Sequence, residues 1–146
     1  MLTFIVPANA DQLPLVRHRV GSWLASHRVP IGARRDSVST VDEAVSNSIE
    51  HAYCDTEDAG LVAITVQATN DEVLISVADH GDWPSGADER GLGLTVIEGL
   101  AEDVELAREG GRTTLSARIA RGKRATRGRA WAPEQRGVDE STRSPR

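Results

Sequence analysis

The first 120 residues switch several times between a two-residue and a three-to-four-residue hydrophobic period. Leu2 and Phe4-Ile5-Val6 read as a short first strand, stopped by Pro7. Leu13, Val16, Val20, Trp23, Leu24 and His27 recur at helical steps. They predict an amphipathic helix with Asp11 as its N-cap, ended by Pro30 and Gly32. A second helix is expected from about Asp36 to Tyr53, with Val38, Val41, Val45, Ile49 and Ala52 as its apolar stripe. Residues 55–60 form a polar loop. The runs 61–66 and 73–78 are strands, and Asn70-Asp71 between them is hairpin-turn chemistry. Residues 79–90, rich in Gly, Asp and Pro, predict a loop. Leu92, Leu94, Val96, Ile97 and Leu100 predict a short helix opening after Gly91. The runs 104–107 and 113–119 predict a last hairpin around Gly110-Gly111.

The order β-α-α-β-β-loop-α-β-β predicts a two-layer α/β (α+β) sandwich, one mixed sheet with helices over one face. The patterned region, 1–120, is expected to be a single domain. Beyond Ala120 the periodicity stops and Arg, Gly, Pro and Ser dominate, so residues 121–146 are expected to be a basic, disordered tail. No internal repeat is visible.

Composition narrows the classes. A length of 146 residues suits one domain, and 39% apolar residues suffice for an ordinary core. No apolar run approaches the ~20 residues that span a bilayer, so no membrane association is expected. The first residues have neither a basic start nor a long apolar stretch, unlike a signal peptide. A single cysteine, Cys54, excludes an internal disulfide and a multi-cysteine metal site, and a reducing cytoplasm is the expected compartment. The net charge of −5 is unevenly divided. Residues 1–120 carry nine Arg against nineteen Asp and Glu, a net of −10, while 121–146 carry eight Lys and Arg against three acids, a net of +5. An acidic body repels nucleic-acid backbones. It suits a basic protein partner, or a site where Mg²⁺ holds a polyphosphate. The basic tail reads as a solvated run or as a weak contact to nucleic acid or membrane.

Several residues could carry chemistry. Glu43 and Asn47 lie one helical turn apart and share a face. That face is either solvated surface or a Mg²⁺-nucleotide site, with the Asn amide oxygen as a hard ligand and the Glu carboxylate handling a proton. Asp79 follows an apolar strand and precedes His80-Gly81. It is either an ordinary strand-to-turn acid or an acceptor for an exocyclic amine such as that of adenine, with Gly81 letting a flat ring approach the backbone. Gly91 and Gly93 precede a helix, where exposed N–H groups and the helix dipole favour anions; the alternative is a flexible hinge. Thr113 is either β-branched packing or part of a site. The four His have no metal-ligand spacing.

In one order, these signals resemble a known family. The run from Val41 to Tyr53 (Val41-Asp42-Glu43-Ala44-Val45-Ser46-Asn47-Ser48-Ile49-Glu50-His51-Ala52-Tyr53) resembles the N-box of the GHKL ATPase superfamily, in the version found in RsbW-type anti-sigma-factor serine/threonine kinases. Val77-Ala78-Asp79-His80-Gly81-Asp82-Trp83 resembles the G1 box, Arg90-Gly91-Leu92-Gly93-Leu94-Thr95-Val96-Ile97 the G2 box, and Gly111-Arg112-Thr113-Thr114-Leu115 the last box. The resemblance implies a Bergerat-type ATP-binding fold over residues 1–120. It implies Asn47 as Mg²⁺ ligand, Glu43 as general base, and Asp79, Gly81 and Thr113 around adenine. Gly91, Gly93 and Leu94 would belong to the flap over the phosphates. The implied function is an ATP-dependent kinase that phosphorylates a serine of an anti-anti-sigma (STAS-type) partner and sequesters a sigma factor, with homodimers common in the family. Trp83 stands where the family's second G1 glycine would be. It keeps open a regulatory binding module without kinase activity.

Overall fold

The computed structural model describes residues 1–52, 60–81 and 94–122. Tyr53, Cys54, Trp83, Gly91, Leu92 and Gly93, and the tail from 123 onward, lie outside the described residues. Strand β1 (Leu2–Pro7) leads through a 3₁₀ turn (Ala10–Gln12) into helix α1 (Leu13–Ser26) and helix α2 (Ile31–Asn47). A π-helical turn, Ser48–Ala52, continues α2. Strands β2 (Leu61–Ala68) and β3 (Glu72–Asp79), helix α3 (Leu94–Leu100), and strands β4 (Asp103–Glu109) and β5 (Arg112–Ala120) follow.

The five strands form one sheet in the order β1-β2-β3-β5-β4. Both hairpins fall where the sequence predicted them. The sheet is not mixed: every hydrogen-bonded pair is antiparallel. Two features of the connectivity produce this. The helix pair α1–α2 carries the chain out and back, so β2 enters antiparallel to β1. The single helix α3 makes β4 parallel to β3, but β5 turns back at Gly110-Gly111 and inserts between them. Both glycines take positive φ, +59° and +78°, which the tight reversal requires.

One sheet face is apolar and covered by the helices. Phe4 and Val6 of β1, Val62, Ile64 and Val66 of β2, Val73, Ile75 and Val77 of β3, and Leu115, Ala117 and Ile119 of β5 form cross-strand rows. They pack with Val16, Val20 and Leu24 of α1, Val41, Ala44 and Val45 of α2, and Ile97 of α3 in one core. Each fully buried Val, Leu or Ile contributes about 1.5–3 kcal/mol of transfer free energy. The opposite face carries the small hydroxylated row Thr3, Thr65, Ser76 and Ser116.

The helix boundaries differ from expectation. Asp11, expected to cap the first helix, lies inside the 3₁₀ turn, whose cap is Asn9: its side chain accepts a hydrogen bond from the Asp11 N–H at 2.8 Å, while Gln12, which precedes α1, makes no side-chain capping bond. Helix α1 stops before Pro30, in a left-handed turn at Arg28, with φ +60°. The Arg28 N–H reaches Ala25 O and the Val29 N–H reaches Leu24 O. That hydrogen-bond pair is the Schellman ending, usually built on glycine. The buried side chains of Leu24 and Val29 accompany it. Pro30, expected to terminate the first helix, instead opens the second. Its backbone (φ −58°, ψ 152°) leads directly into Ile31, so α2 starts five residues earlier than Asp36.

Arg121 lies just past β5 and closes this end of the molecule. Its guanidinium donates to His27 O at 3.0 Å, to Arg28 O at 3.3 Å and to Thr69 O. A cation thus sits on the last carbonyls of α1, where the helix dipole favours it.

Candidate functional site

The strand register aligns Val62, Asp79 and Thr113 side by side at the other end of the sheet. Directly opposed residues of antiparallel strands point to the same face. Asp79 and Thr113 therefore both face the helix layer, at 1% and 5% exposure. A buried carboxylate requires donors. Two are close: the Ser48 hydroxyl donates to Asp79 Oδ2 at 2.7 Å, and the Gly81 N–H donates to Oδ1 at 3.1 Å. Ser48 opens the π-helical turn that prolongs α2. One hydrogen bond thus joins the C-terminal end of a helix to the last residue of a strand 31 positions later.

Asn47 is the last residue of α2. It is 4% exposed, and its Nδ2 has no hydrogen-bond partner among the described residues. Glu43, one turn earlier, is half-buried. The solvated-surface reading of this pair is therefore set aside for Asn47. The inward face of α2 runs through Ala33, Ser37, Thr40, Val41, Ala44, Val45, Asn47 and Ser48. Small hydroxyl and amide side chains share it with the aliphatic ones. A count of large apolar residues does not reveal such a face.

Gly81 is confined by the chain itself. A Cβ there would land on the backbone carbonyl of Ala52, in the π-helical turn. Glycine lets the end of β3 and this turn touch. Gly81 and Thr113 line a cleft of about 230 Å³ with Gly110, Gly111, Arg108, Glu109 and Arg112. Leu94, expected in the site, is buried in the hydrophobic core. Gly91 and Gly93 lie outside the described residues. The structure thus brings Asp79, Gly81 and Thr113 together, and links Asp79 to Asn47 through Ser48. Ser48 is the site residue that sequence reasoning did not single out. Its partner lies on a distant strand, and in the sequence it looks like any small polar helix residue.

Among the described residues, no three His, Cys, Asp or Glu side chains converge on a possible cation. Mg²⁺ does not need such a cage, because it is usually held by one or two protein groups together with substrate phosphates and water. The buried, incompletely bonded Asn47 amide fits that arrangement. Turning the amide over about its last torsion presents its oxygen in place of its nitrogen. No described helix is long and apolar enough to cross a membrane.

A two-layer sandwich with Asn47, Ser48, Asp79 and Thr113 buried at one sheet end, beside a glycine-lined cleft, fits the GHKL class of ATP-binding folds. The chain belongs to the histidine kinase-like ATPase domain family, whose sequence profile matches residues 6–119. It is similar to the serine-protein kinase RsbW of Staphylococcus aureus strain JH9, 29% identical over 126 residues, with 74% of this chain and 79% of that protein covered. Two solved structures share the fold. The RsbU and RsbW domains of a Mycobacterium tuberculosis protein superpose with a TM-score of 0.61 at 24% identity. That match covers 83% of this chain but only 33% of the other, so this chain spans about a third of that protein's length. The SiaB–SiaC complex of Pseudomonas aeruginosa superposes with a TM-score of 0.56 at 16% identity, covering 82% of this chain and 89% of that one.

Proposed function

We propose that this chain binds ATP with Mg²⁺ at the Asp79 end of the sheet. There it acts as a serine-protein kinase and anti-sigma factor. Its substrate would be a serine of an anti-anti-sigma partner of the STAS type, and it would hold a sigma factor inactive. The observation that carries this reading is the buried Asp79 carboxylate, clamped by Ser48 and Gly81 beside Thr113. An acceptor fixed beside Thr113 and two residues before Gly81, both of which line the cleft, suits the exocyclic amine of adenine. Similarity to RsbW supports the choice of a serine kinase within the family.

The roles follow from the residue chemistry. Asp79 accepts from the adenine amine, and Gly81 and Thr113 bound the ring's seat. Asn47 is the protein ligand for Mg²⁺, which when bound neutralises phosphate charge. Glu43, on the same helix face, takes the proton of the substrate serine. The backbone of Gly91 and Gly93, with Leu94, serves the phosphates. Phosphoryl transfer relies chiefly on such positioning and charge stabilisation.

The experiment is labelled-ATP transfer to the partner by the purified chain, before and after Glu43→Ala. Loss of a general base should lower the rate by about 10²–10⁴-fold and leave ATP affinity within about twofold. Transfer at the unsubstituted rate would remove Glu43 from the mechanism. Trp83, in place of a glycine, favours a second reading: a module that regulates by binding alone. ATP binding by the unsubstituted chain without any transfer would select it.

A further inference from the structure

We propose that Ser48 is a positioning residue that sets the purine selectivity of this cleft, for a 6-amino over a 6-oxo base. The proposal rests on the reading of Asp79 as the adenine acceptor. It adds a specificity role to the residue that clamps that carboxylate.

The argument begins with the carboxylate. An ionised Asp accepts hydrogen bonds and donates none. It can therefore meet the amine of adenine and opposes the carbonyl oxygen that hypoxanthine or guanine places at the same position. Such discrimination depends on direction, because a carboxylate free to rotate can turn away from an opposing oxygen. Two donors from different parts of the chain restrict Asp79. The Gly81 N–H holds Oδ1 from two residues along the same strand end. Ser48 Oγ holds Oδ2 from the opposite layer. Only the second bond ties the carboxylate to the helix that carries Asn47 and Glu43. Ser48 and Asp79 are 2% and 1% exposed, so water competes little for this bond. A serine has one proton to donate. Once it is committed to Oδ2, the carboxylate plane is set relative to the cleft. An alanine at 48 would keep the helical backbone and remove only the hydroxyl.

A second explanation is that Ser48 merely fastens the π-helical turn to β3. Changing the ligand instead of the protein separates the two. ATP and inosine triphosphate share sugar and phosphates, and differ at purine position 6, amine against carbonyl. Both would be titrated, with Mg²⁺, into the full-length chain and into Ser48→Ala, with thermal melting of each protein alongside. The unsubstituted chain should prefer ATP. Ser48→Ala should weaken ATP binding by about five- to tenfold, the order expected for one hydrogen bond of ordinary net strength, and leave inosine triphosphate binding unchanged or tighter. The preference then shrinks by at least that factor. Ser48→Cys, a weaker donor of similar size, should fall between the two. It also serves as the test should the alanine variant not fold. An equal loss for both nucleotides, or no loss for either, overturns the proposal. Failure of the unsubstituted chain to bind ATP at millimolar concentration overturns the reading of the site itself, and is seen without any substitution.

Discussion

The two ends of the sheet handle their polar groups differently. At the end formed by the β2–β3 turn and the α1–α2 connection, exposed carbonyls are a structural problem solved internally. One guanidinium, Arg121, donates to His27, Arg28 and Thr69, and the Schellman turn engages the Leu24 and Ala25 carbonyls. At the other end, a carboxylate, an amide and two hydroxyl side chains lie within a few residues of one cleft, and the Asn47 amide nitrogen has no partner. A buried polar atom without a partner costs about 1–3 kcal/mol. Among the described residues Arg34 Nε, near the first end, and Ser37 Oγ and Thr40 Oγ1 along α2 are also buried without partners, so what sets Asn47 apart is its place next to Ser48 and the Asp79 carboxylate, where a ligand can offset the cost.

The contrast is tested most strongly at Asn47. Asn47→Ala should weaken Mg²⁺-dependent ATP binding by about ten- to a hundredfold, the scale of losing one group from a metal's surroundings. The melting temperature should hold or rise, because the unmet nitrogen is removed with the side chain. Calorimetric titration and a thermal melt of one sample read both. A stability loss with unchanged affinity would make Asn47 a structural residue and erase the difference between the ends. Arg121→Ala should show the inverse. We expect a loss of about 1–2 kcal/mol in denaturant unfolding and unchanged ATP affinity; a change in affinity would show that the ends are not independent. The smallest effect is expected at Arg28. Arg28→Gly keeps the carbonyl that Arg121 binds and relieves the left-handed backbone. It should raise stability by about 1 kcal/mol, seen as a higher urea midpoint at unchanged slope.

The strands were legible because β2 and β3 are short, rich in Val and Ile, and bounded by turn residues. Their ends were placed to within two residues. The helix junction was misread for a local reason. Arg28 gives no sign in sequence of a left-handed turn, whereas Pro30 and Gly32 are strong punctuation whose meaning depends on which helix they serve. Sheet direction was beyond local pattern, since it depends on β5 inserting between β3 and β4. Of the site, the ionisable and glycine positions stood out by residue type and order. Ser48 did not, because its significance lies in a hydrogen bond across 31 residues of chain.

The late arrival of β5 bears on assembly during synthesis. It is the last strand described, yet it lies between two earlier ones and supplies Thr113 opposite Asp79. A nascent chain still short of Ala120 leaves β3 with an unzipped flank and β4 with no neighbour to join. Half of the cleft's rim is then missing as well. Ligand competence therefore comes only with the final docking event. Because a ligand that binds only the finished fold stabilises it by mass action, nucleotide should act on the newly made protein chiefly by slowing the departure of this one strand.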